Sequence, residues 1–497
     1  MFYRDNNDYH NAKGQIAMKA TIAVLNKRDE DAAPAVMAAL ESMRKENVGC
    51  FGMASPSTIV VGKDIRSLPA KKVSSSVIIG CAFQENESPL AKMENAALAF
   101  DGRTYTPALR PSFAMAVAEK LQKEREKTVE KFVKAVEGDY SLIVAEPERI
   151  VAARDPIGVQ PLYYGETVVC AALGSNRKIL WRLGIEETRS FPPGHVGFIS
   201  REGFRFKPIK TLAYSEPKSI TMQRAADSLS RMLERSVRLR VRGVKEVAVA
   251  FSGGLDSSLI AFLARKCGAN VHLIHVSLRG YPETEGAKKA AEKLKLPIDV
   301  CLFDEEDMAN VAAKVVELIE EPNAVKAAIG IPFFWTAKKT SEAGFKVLLA
   351  GQGADELFGG YQRYVNEYLS DGEESVRKAM FTDVTNIHES NIERDAKICN
   401  FHGVELRLPF ASYKIAKFAV SLPVELKIEN SPSSLRKLVL RKVALDLGLP
   451  ESIVEKPKKA VQYATGINSA LKKLAKKQKL TVTEYVTKLF LNGFAEK

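Results

Sequence analysis

The sequence lacks three features, and each absence excludes a class of protein. Its six cysteines, at positions 50, 81, 170, 267, 301 and 399, are at least 31 positions apart, which excludes a Cys-x-x-Cys zinc knuckle or redox pair. No apolar run approaches the roughly 20 residues that span a bilayer, so we expect no membrane partner. The first eight residues are polar and lack the apolar core of a secretion signal, so we expect a cytoplasmic protein.

The composition is that of an ordinary globular protein. The 497 residues are 46% apolar and 27% charged, which fits neither a disordered nor a fibrous chain. The net formal charge of +13 is compatible with nucleic acid, with a polyanionic substrate such as ATP, or with solubility alone. The lysines of residues 471–477 have the spacing of a solvated helix face.

The residue pattern changes along the chain and predicts two domains. Residues 1–17 form a polar extension, and residues 18–208 combine short apolar strands with a few helices, which indicates a sheet-rich domain. Residues 209–222 are a turn-rich linker. Residues 223–497 begin with alternating strands and helices, which predicts an α/β domain whose parallel sheet is covered by helices on both faces.

One loop of the second domain has the composition of a phosphate-binding turn. A predicted strand ends at Phe251, and residues 252–258 then lead into an apolar helix. Two glycines let the backbone approach an anion, and two serines add hydroxyl donors at the positive end of the helix. The lysine of a GxxxxGK[ST] loop is absent, so the aspartate is expected to reach a metal ion. The predicted ATP-binding residues here are Ser252, Gly253, Gly254, Asp256, Ser257 and Ser258.

Several ordered motifs carry a resemblance to a known family. Residues 252–258 resemble the pyrophosphate loop of synthetases that cleave ATP between its α and β phosphates. Residues 351–361 and 402–410 resemble the synthetase domain of asparagine synthetases. Residues 138–142 and 154–164 are similar to the core of class II amidotransferase domains, so the resemblance covers nearly the whole chain.

The resemblance implies a fold and a set of site residues. The fold is an Ntn-hydrolase-like α+β sandwich followed by a doubly wound parallel sheet of the ATP-pyrophosphatase type. Asp256 and Asp355 match carboxylates that bind Mg²⁺ beside ATP. Lys458, or Lys459 one position later, matches a lysine that lies over the phosphates and the tetrahedral intermediate. The other implied contacts are Val276 and Gly351 for ATP and Arg407 for the substrate.

The first domain departs from the glutaminase pattern at three places. The family uses an N-terminal cysteine as nucleophile, whereas position 2 is Phe2, and a start at Met18 would place Lys19 second. The oxyanion-hole asparagine is replaced by Asp101, and residues 43–47 replace the element that binds glutamine. We therefore expect an amidotransferase shape without glutaminase activity. Thr21 would act as a nucleophile only after cleavage before it, and a strand residue is the expected role.

The second domain departs from the family at Gln352. Asparagine synthetases usually have a glutamate there that takes a proton from ammonia, and glutamine cannot act as a base. Either Glu405 takes this role, or ammonia enters unprotonated. The related β-lactam-forming synthetases pair a tyrosine at this position with a glutamate that matches Glu405. Glu405 is equally well explained as an ion-pair partner of Arg407.

These observations predict an ATP- and Mg²⁺-dependent ligase. The leading hypothesis is conversion of aspartate to asparagine with release of AMP and pyrophosphate, using free ammonia or ammonia from a separate protein. The runner-up keeps adenylation but changes the amine or the acceptor carboxylate, as in lactam formation. A tRNA-modifying ATPase and a non-catalytic scaffold are the remaining alternatives. We expect small-molecule substrates and no nucleic acid for the ligase, and the resemblance suggests a homodimer.

Overall fold

The computed structural model describes residues 19–43, 48–85, 88–107, 113–122, 128–431, 435–457 and 461–495. These residues form two compact units, which meet in sequence at Thr211 and Leu212. None of the helices in these ranges is long and apolar enough to cross a membrane. All six cysteines are free thiols.

The N-terminal unit is built from two antiparallel sheets. Its strands are β1 (Ala20–Asn26), β2 (Cys50–Ala54), β3 (Ile59–Gly62), β4 (Val77–Phe83), β5 (Leu90–Met93), β6 (Ala96–Thr106), β7 (Glu137–Ala145), β8 (Ile150–Arg154), β9 (Tyr163–Glu166), β10 (Cys170–Gly174), β11 (Arg189–Ser190), β12 (His195–Ser200) and β13 (Gly203–Pro208). The first sheet has the order β11-β9-β10-β1-β4-β2-β3 and the second β13-β12-β8-β7-β6-β5.

Helices pack on the outer sides of this pair of sheets. They are α1 (Ala33–Glu41), α2 (Phe113–Gln122), α3 (Thr128–Ala135) and α4 (Arg177–Trp181). Leu25 and Ile79 of the first sheet share one apolar core with Ile143 of the second, so the two sheets face each other. Leu98 of the second sheet shares another core with helix residues such as Val117. The layers therefore confirm the predicted α+β sandwich.

Two adjacent buried charges hold the turn that follows β8. Asp155 accepts backbone N–H bonds from the four residues 157–160 at 2.8–3.1 Å. Arg154 donates to the carbonyl oxygens of Gly158, Gln160 and Phe191 at 2.7–2.9 Å. Both side chains are almost fully buried. The motif at residues 154–164 therefore begins with a hydrogen-bonded turn, which Arg154 also ties to Phe191.

The C-terminal unit is built around a parallel sheet. Its strands are β14 (Glu246–Ala250), β15 (Asn270–Leu278), β16 (Ile298–Phe303), β17 (Val347–Leu349) and β18 (Glu405–Arg407). The order is β16-β15-β14-β17-β18, and every pair is parallel. The neighbouring residues Val247, Ala248 and Val249 point alternately to the two faces and are all fully buried, so helices cover both faces. This confirms the doubly wound sheet.

The helices of this unit separate and follow the strands. They are α5 (Met222–Val241), α6 (Leu255–Lys266), α7 (Glu283–Leu294), α8 (Glu305–Ile319), α9 (Ala324–Glu342), α10 (Ala354–Phe358), α11 (Gln362–Asp371), α12 (Glu373–Thr385), α13 (Glu393–Phe401), α14 (Tyr413–Val420), α15 (Leu438–Asp446), α16 (Glu451–Val454), α17 (Val461–Ala464), α18 (Ile467–Lys477) and α19 (Val482–Ala495). A π-helical turn, His388–Ile392, precedes α13.

The strand order places a crevice at one edge of the sheet. The chain runs outward from β14 to β15 and β16, and then returns to the other side of β14 with β17. The loops after β14 and β17 leave adjacent parallel strands in opposite directions, which is where open α/β sheets bind ligands. Residues 252–258 and 351–360 contain these two loops and the helical residues that follow them, so the fold brings two of the sequence motifs together.

Candidate functional site

The loop after β14 packs so closely against α7 that its glycine turn has no room for a side chain. Gly253 has φ of +67°, which favours glycine. A Cβ atom at Gly253 would lie 2.7 Å from the Cα atom of Ala287 in α7. Gly254 caps α6, whose first backbone N–H groups therefore face the loop. This is the arrangement in which a helix N-terminus binds a phosphate group.

Serine hydroxyls brace the same loop from inside. Ser252 Oγ lies 3.2 Å from Ser257 Oγ and accepts the N–H of Gly254 at 3.3 Å. Ser257 Oγ donates to the carbonyl oxygen of Gly254 at 3.3 Å. Ser258 Oγ is buried and has no hydrogen-bond partner within the described ranges. The loop is thus preformed by its own side chains.

The two predicted metal carboxylates converge on a lysine. Lys437 Nζ lies 2.6 Å from Asp256 Oδ2 and 2.7 Å from Asp355 Oδ1. The lysine side chain is 4% exposed, and those of Asp256 and Asp355 are 14% and 17% exposed. Asp256 lies in the first turn of α6, Asp355 lies in α10 and Lys437 directly precedes α15. The structure therefore joins the two predicted aspartates and adds a cation that sequence reasoning missed.

The packing around Lys437 is tight. Its φ of +64° is an unusual conformation for a lysine, of a kind that persists only where neighbouring contacts enforce it. The N–H of the next residue, Leu438, donates to the carbonyl oxygen of Lys427 at 2.9 Å. A Cβ atom at Gly360 would overlap both Asp355 Oδ1 and Lys437 Cε. The glycine at 360 is thus required for the ion cluster.

The donor set fits Mg²⁺ together with a nucleotide. Carboxylates are the hard oxygen ligands that Mg²⁺ prefers, and the ammonium of Lys437 shows that a cation is stabilised between Asp256 and Asp355. No group of three or more metal-ligating side chains occurs in the part of the chain that the structure describes. Mg²⁺ would therefore take its other ligands from phosphate oxygens and water, which is its usual manner of binding.

A second lysine, which follows α16, lies close to the glycine-rich loop after β14. Lys456 Nζ lies 3.5 Å from the carbonyl oxygen of Gly253. Arg441 of α15 donates to the carbonyl oxygen of Lys456 at 3.3 Å and also to that of Val454, which anchors this segment. The predicted Lys458 and Lys459 lie outside the described residues. The segment that carries them nevertheless begins beside the loop.

Gln352 follows β17 and is tied to a buried ion pair. Its Nε2 atom donates to Asp395 Oδ2 at 2.7 Å. Arg394 donates to both oxygens of the same carboxylate, at 2.7 and 3.0 Å. Burial raises the pKa of Asp395, and Arg394 and Gln352 oppose that shift. The sequence motifs did not point to Arg394 or Asp395, because only the fold brings α13 beneath Gln352.

Glu405 and Arg407 form an ion pair within β18. Arg407 Nε and Nη2 donate to the two oxygens of Glu405 at 2.9 Å each. Arg407 is 1% exposed, and its Nη1 atom donates to the carbonyl oxygen of Arg240. The parallel register pairs Glu405 with Val347, the first residue of β17, whereas the site loop follows the last. The base role of Glu405 and the substrate role of Arg407 stay predictions, and the hydrogen bonds between the two side chains support the ion-pair alternative.

Val276 lies near the carboxyl end of β15, at the same edge of the sheet as the two loops. The preceding residue, His275, directs Nδ1 to the carbonyl oxygen of Phe251 at 2.9 Å and Nε2 to Thr284 Oγ1 at 3.3 Å. Burial lowers the pKa of His275, so the ring is neutral at neutral pH. His275 therefore supports the strand end that precedes the phosphate-type loop.

The glutaminase-like region of the N-terminal unit contains a carboxylate. Asp101 accepts a hydrogen bond from Gln160 Nε2, and burial raises the pKa of Asp101. Thr21 is buried in β1 and accepts a bond from Cys81 Sγ at 3.7 Å. Burial raises the pKa of Cys81 to about 12, so this thiol is unreactive at neutral pH. Phe2 and residues 44–47 lie outside the described residues.

Together these features define a class of protein: an α/β protein of two units, with a glycine-rich loop and two aspartates where the loops after two adjacent parallel strands, β14 and β17, leave the sheet. The Asparagine synthase family model matches residues 228–372 and 364–495, which is more than half of the chain. The Glutamine amidotransferase domain model matches residues 81–182. The chain therefore belongs to the asparagine synthetase family.

Two relatives identified by sequence agree with this assignment. A Methanocaldococcus jannaschii protein named "Putative asparagine synthetase (glutamine-hydrolyzing) 1" is 33% identical over 395 residues, covering 70% of this chain and 73% of that protein. An asparagine synthetase of Zea mays is 28% identical over 360 residues, covering 68% of this chain but 60% of that protein. A glutamine phosphoribosylpyrophosphate amidotransferase structure from B. subtilis is 15% identical with a TM-score of 0.35, covering 56% of this chain and 65% of that chain.

Proposed function

We propose that the protein is an ATP-dependent ligase that converts the side-chain carboxylate of aspartate to an amide. The carboxylate oxygen attacks the α-phosphorus of ATP, the bond to the β-phosphate breaks, and pyrophosphate leaves. Ammonia then attacks the acyl carbon of the adenylate, and AMP leaves with the electron pair of the broken C–O bond. The observation that carries this proposal is the convergence of Asp256, Asp355 and Lys437 beside the loop after β14.

The described residues supply the electrostatics that such a reaction needs. Direct attack of ammonia on a carboxylate would expel an oxide, so the oxygen must first become part of a better leaving group. The N–H groups at the start of α6 are placed to bind the departing pyrophosphate. When bound to Asp256 and Asp355, Mg²⁺ supplies charge stabilisation on the phosphates. Lys437 and Lys456 add fixed positive charges on two sides of the loop.

Product analysis tests this proposal directly. The purified protein is incubated with MgATP, aspartate and an ammonium salt, and AMP, pyrophosphate and asparagine are measured. We expect the three products in equal amounts, dependent on aspartate. Orthophosphate and ADP as products, or no acid-dependent turnover with any carboxylate, would refute it. The same assay without Mg²⁺ checks the role of the two aspartates, since chelation is expected to abolish pyrophosphate release.

We infer that ammonia does not come from the chain's own hydrolysis of glutamine. By the family resemblance, Asp101 replaces the oxyanion-hole asparagine, and a carboxylate lacks the amide N–H donor that stabilises a developing oxyanion. Glutamine in place of ammonium is therefore expected to give neither glutamate nor amide. Release of glutamate by the purified protein would contradict this inference, and free ammonia or a separate ammonia-producing protein is the proposed source.

The neutral side chain of Gln352 favours one alternative. An adenylating synthetase that uses another amine or another acceptor acid would need the same phosphate loop and the same aspartates. A panel of acids and amines, with pyrophosphate as the readout, separates the two functions. Turnover that prefers aspartate and ammonium supports the leading proposal. Faster turnover with another pair supports the alternative.

A further inference from the structure

The side chain of Gln352 is held by a carboxylate from a distant part of the unit. Asp395 lies on α13, 43 positions later, and is 0% exposed. Its two oxygens already accept three N–H bonds, two from Arg394 and one from Gln352. A carboxylate in such a setting acts as an acceptor only. The amide of Gln352 must therefore turn its nitrogen, and not its oxygen, toward Asp395.

This contact fixes the direction of the amide oxygen. Gln352 is partly exposed, whereas Asp395 lies beneath it in the interior. Within the described ranges Oε1 of Gln352 has no hydrogen-bond partner, since its one side-chain bond is made by Nε2. The residue directly follows Gly351, a position whose absent Cβ would lie 3.1 Å from Asp256 Cβ. With Nε2 committed to Asp395, a partly exposed residue next to Gly351 retains a neutral acceptor, Oε1, for a ligand.

The hydrogen bonds that hold Gln352 continue to Glu356, four residues later in the chain. Arg394 Nη1 donates to Asn391 Oδ1 at 3.3 Å, and Asn391 Nδ2 donates to Glu356 Oε1 at 2.7 Å. Asn391 belongs to the π-helical turn before α13, a type of turn that is frequent at functional sites. One chain segment therefore holds both Gln352 and Glu356, which makes the orientation of the amide rigid.

A carboxylate at position 352 is incompatible with this arrangement. It would place a negatively charged oxygen about 2.7 Å from Asp395 Oδ2, where the amide nitrogen now lies. Two like charges at that distance cannot both persist in a buried site. The glutamine at 352 and the aspartate at 395 are therefore a matched pair.

We propose that Asp395 is a positioning residue that aims Oε1 of Gln352 at the incoming nitrogen nucleophile. The amide oxygen accepts an N–H bond and so orients the nucleophile, but it does not remove a proton. After the C–N bond forms and the C–O bond to AMP breaks, the surplus proton leaves the nitrogen for water. This inference rests on the proposed amide synthesis and deepens it.

The test separates the adenylation step from the amine step. Carboxylate-dependent exchange of labelled pyrophosphate into ATP, without ammonium, measures adenylation. Ammonium-dependent amide formation measures the whole reaction. For Gln352→Glu we expect the ratio of amide formation to exchange to fall about tenfold or more, since a buried charged contact becomes repulsive. For Gln352→Met, which removes the acceptor without adding charge, we expect a similar fall through a higher KM for ammonia.

A reversed pair provides the decisive variant. Gln352→Glu combined with Asp395→Asn restores an amide-to-carboxylate hydrogen bond with opposite polarity, and we expect it to recover about fivefold over Gln352→Glu alone. Gln362→Glu makes the same chemical change at an exposed helix position and is expected to leave both assays unchanged. Unfolding curves verify that each variant is folded. If the double variant unfolds, Gln352→Met still decides the question.

The outcomes are distinct. An unchanged ratio in Gln352→Met, or wild-type amide formation in Gln352→Glu, would overturn the inference while leaving the proposed function intact. A wild-type protein that shows no pyrophosphate exchange with any acid would instead overturn the proposed function. Loss of exchange and amide formation to the same extent in Gln352→Met would also contradict a role confined to the amine step.

Discussion

Replacement of Lys437 by methionine tests whether the two aspartates form a cation site. The ammonium group lies 2.6 and 2.7 Å from the carboxylates of Asp256 and Asp355, so Lys437→Met leaves two negative charges facing each other. Methionine has a similar length and fills the same space without a charge. The expected result is a protein that is destabilised without a cation and rescued by one.

The structure sets the size of the effect. Removing one partner of a fully buried ion pair costs about 3–5 kcal/mol. Lys437 is 4% exposed, but the carboxylates are 14% and 17% exposed, so solvent screens part of the repulsion and we expect about 2–3 kcal/mol. For a unit of this size, about 2 °C in unfolding temperature corresponds to each kcal/mol. The transition of the C-terminal unit should therefore fall by about 4–6 °C.

Thermal unfolding with and without MgCl₂ measures the effect. Mg²⁺ should raise the unfolding temperature of Lys437→Met more than that of the wild type, because the cation takes the place of the lost ammonium. Lys442→Met is the matched control, since Lys442 lies five residues later in an exposed ion pair with Asp446 and should contribute little. A Lys437→Met variant as stable as the control, or one indifferent to Mg²⁺, would refute the reasoning.

Three further predictions follow from the same region. Asp355→Asn should lower the rate of pyrophosphate release about 10²–10³-fold, with a small change in unfolding temperature because Lys437 keeps its other carboxylate; a near-wild-type initial rate would contradict a metal role. Gly360→Ala should lower the free energy of unfolding by about 1–3 kcal/mol in urea titrations, since its Cβ overlaps Asp355 and Lys437; unaltered stability would show that the cluster relaxes. Burial lowers the pKa of Lys427 from 10.5 to about 7, so folding disfavours its charged form. Lys427→Met should therefore stabilise the protein by about 1–4 kcal/mol below pH 7, and the gain should shrink as pH rises from about 7 to 10.5; a gain that does not vary with pH would contradict this.

The sequence pattern predicted the sheet framework because its signals are local. Apolar stretches such as residues 246–250 and 271–276 lie within β14 and β15, and the alternation of strands and helices predicted the parallel sheet. The glycine turn after β14 was visible for the same reason, since it depends on neighbouring residues only. Boundaries were less accurate, since the strand predicted to end at Phe251 ends one residue earlier, at Ala250.

The contacts that surround the site were not predictable in this way. Lys437 resembled an ordinary lysine before a helix, and only folding brings it between two aspartates from distant motifs. Asp395 likewise gave no signal, because its partner Gln352 lies on another element. The ion pair of Glu405 with Arg407 was one of two readings, and strand geometry, which places residues i and i+2 on one face, favours it.

The turn at Arg154 and Asp155 bears on how such chains are classified. The side chain of Asp155 accepts four backbone N–H groups of the turn, and Arg154 donates to two of its carbonyl oxygens, so the shape of the turn constrains these residues whether or not a substrate is processed nearby. A family model that matches this stretch of sequence therefore detects the fold of the domain. Chemistry has to be judged separately, from the groups that would touch the reacting atoms.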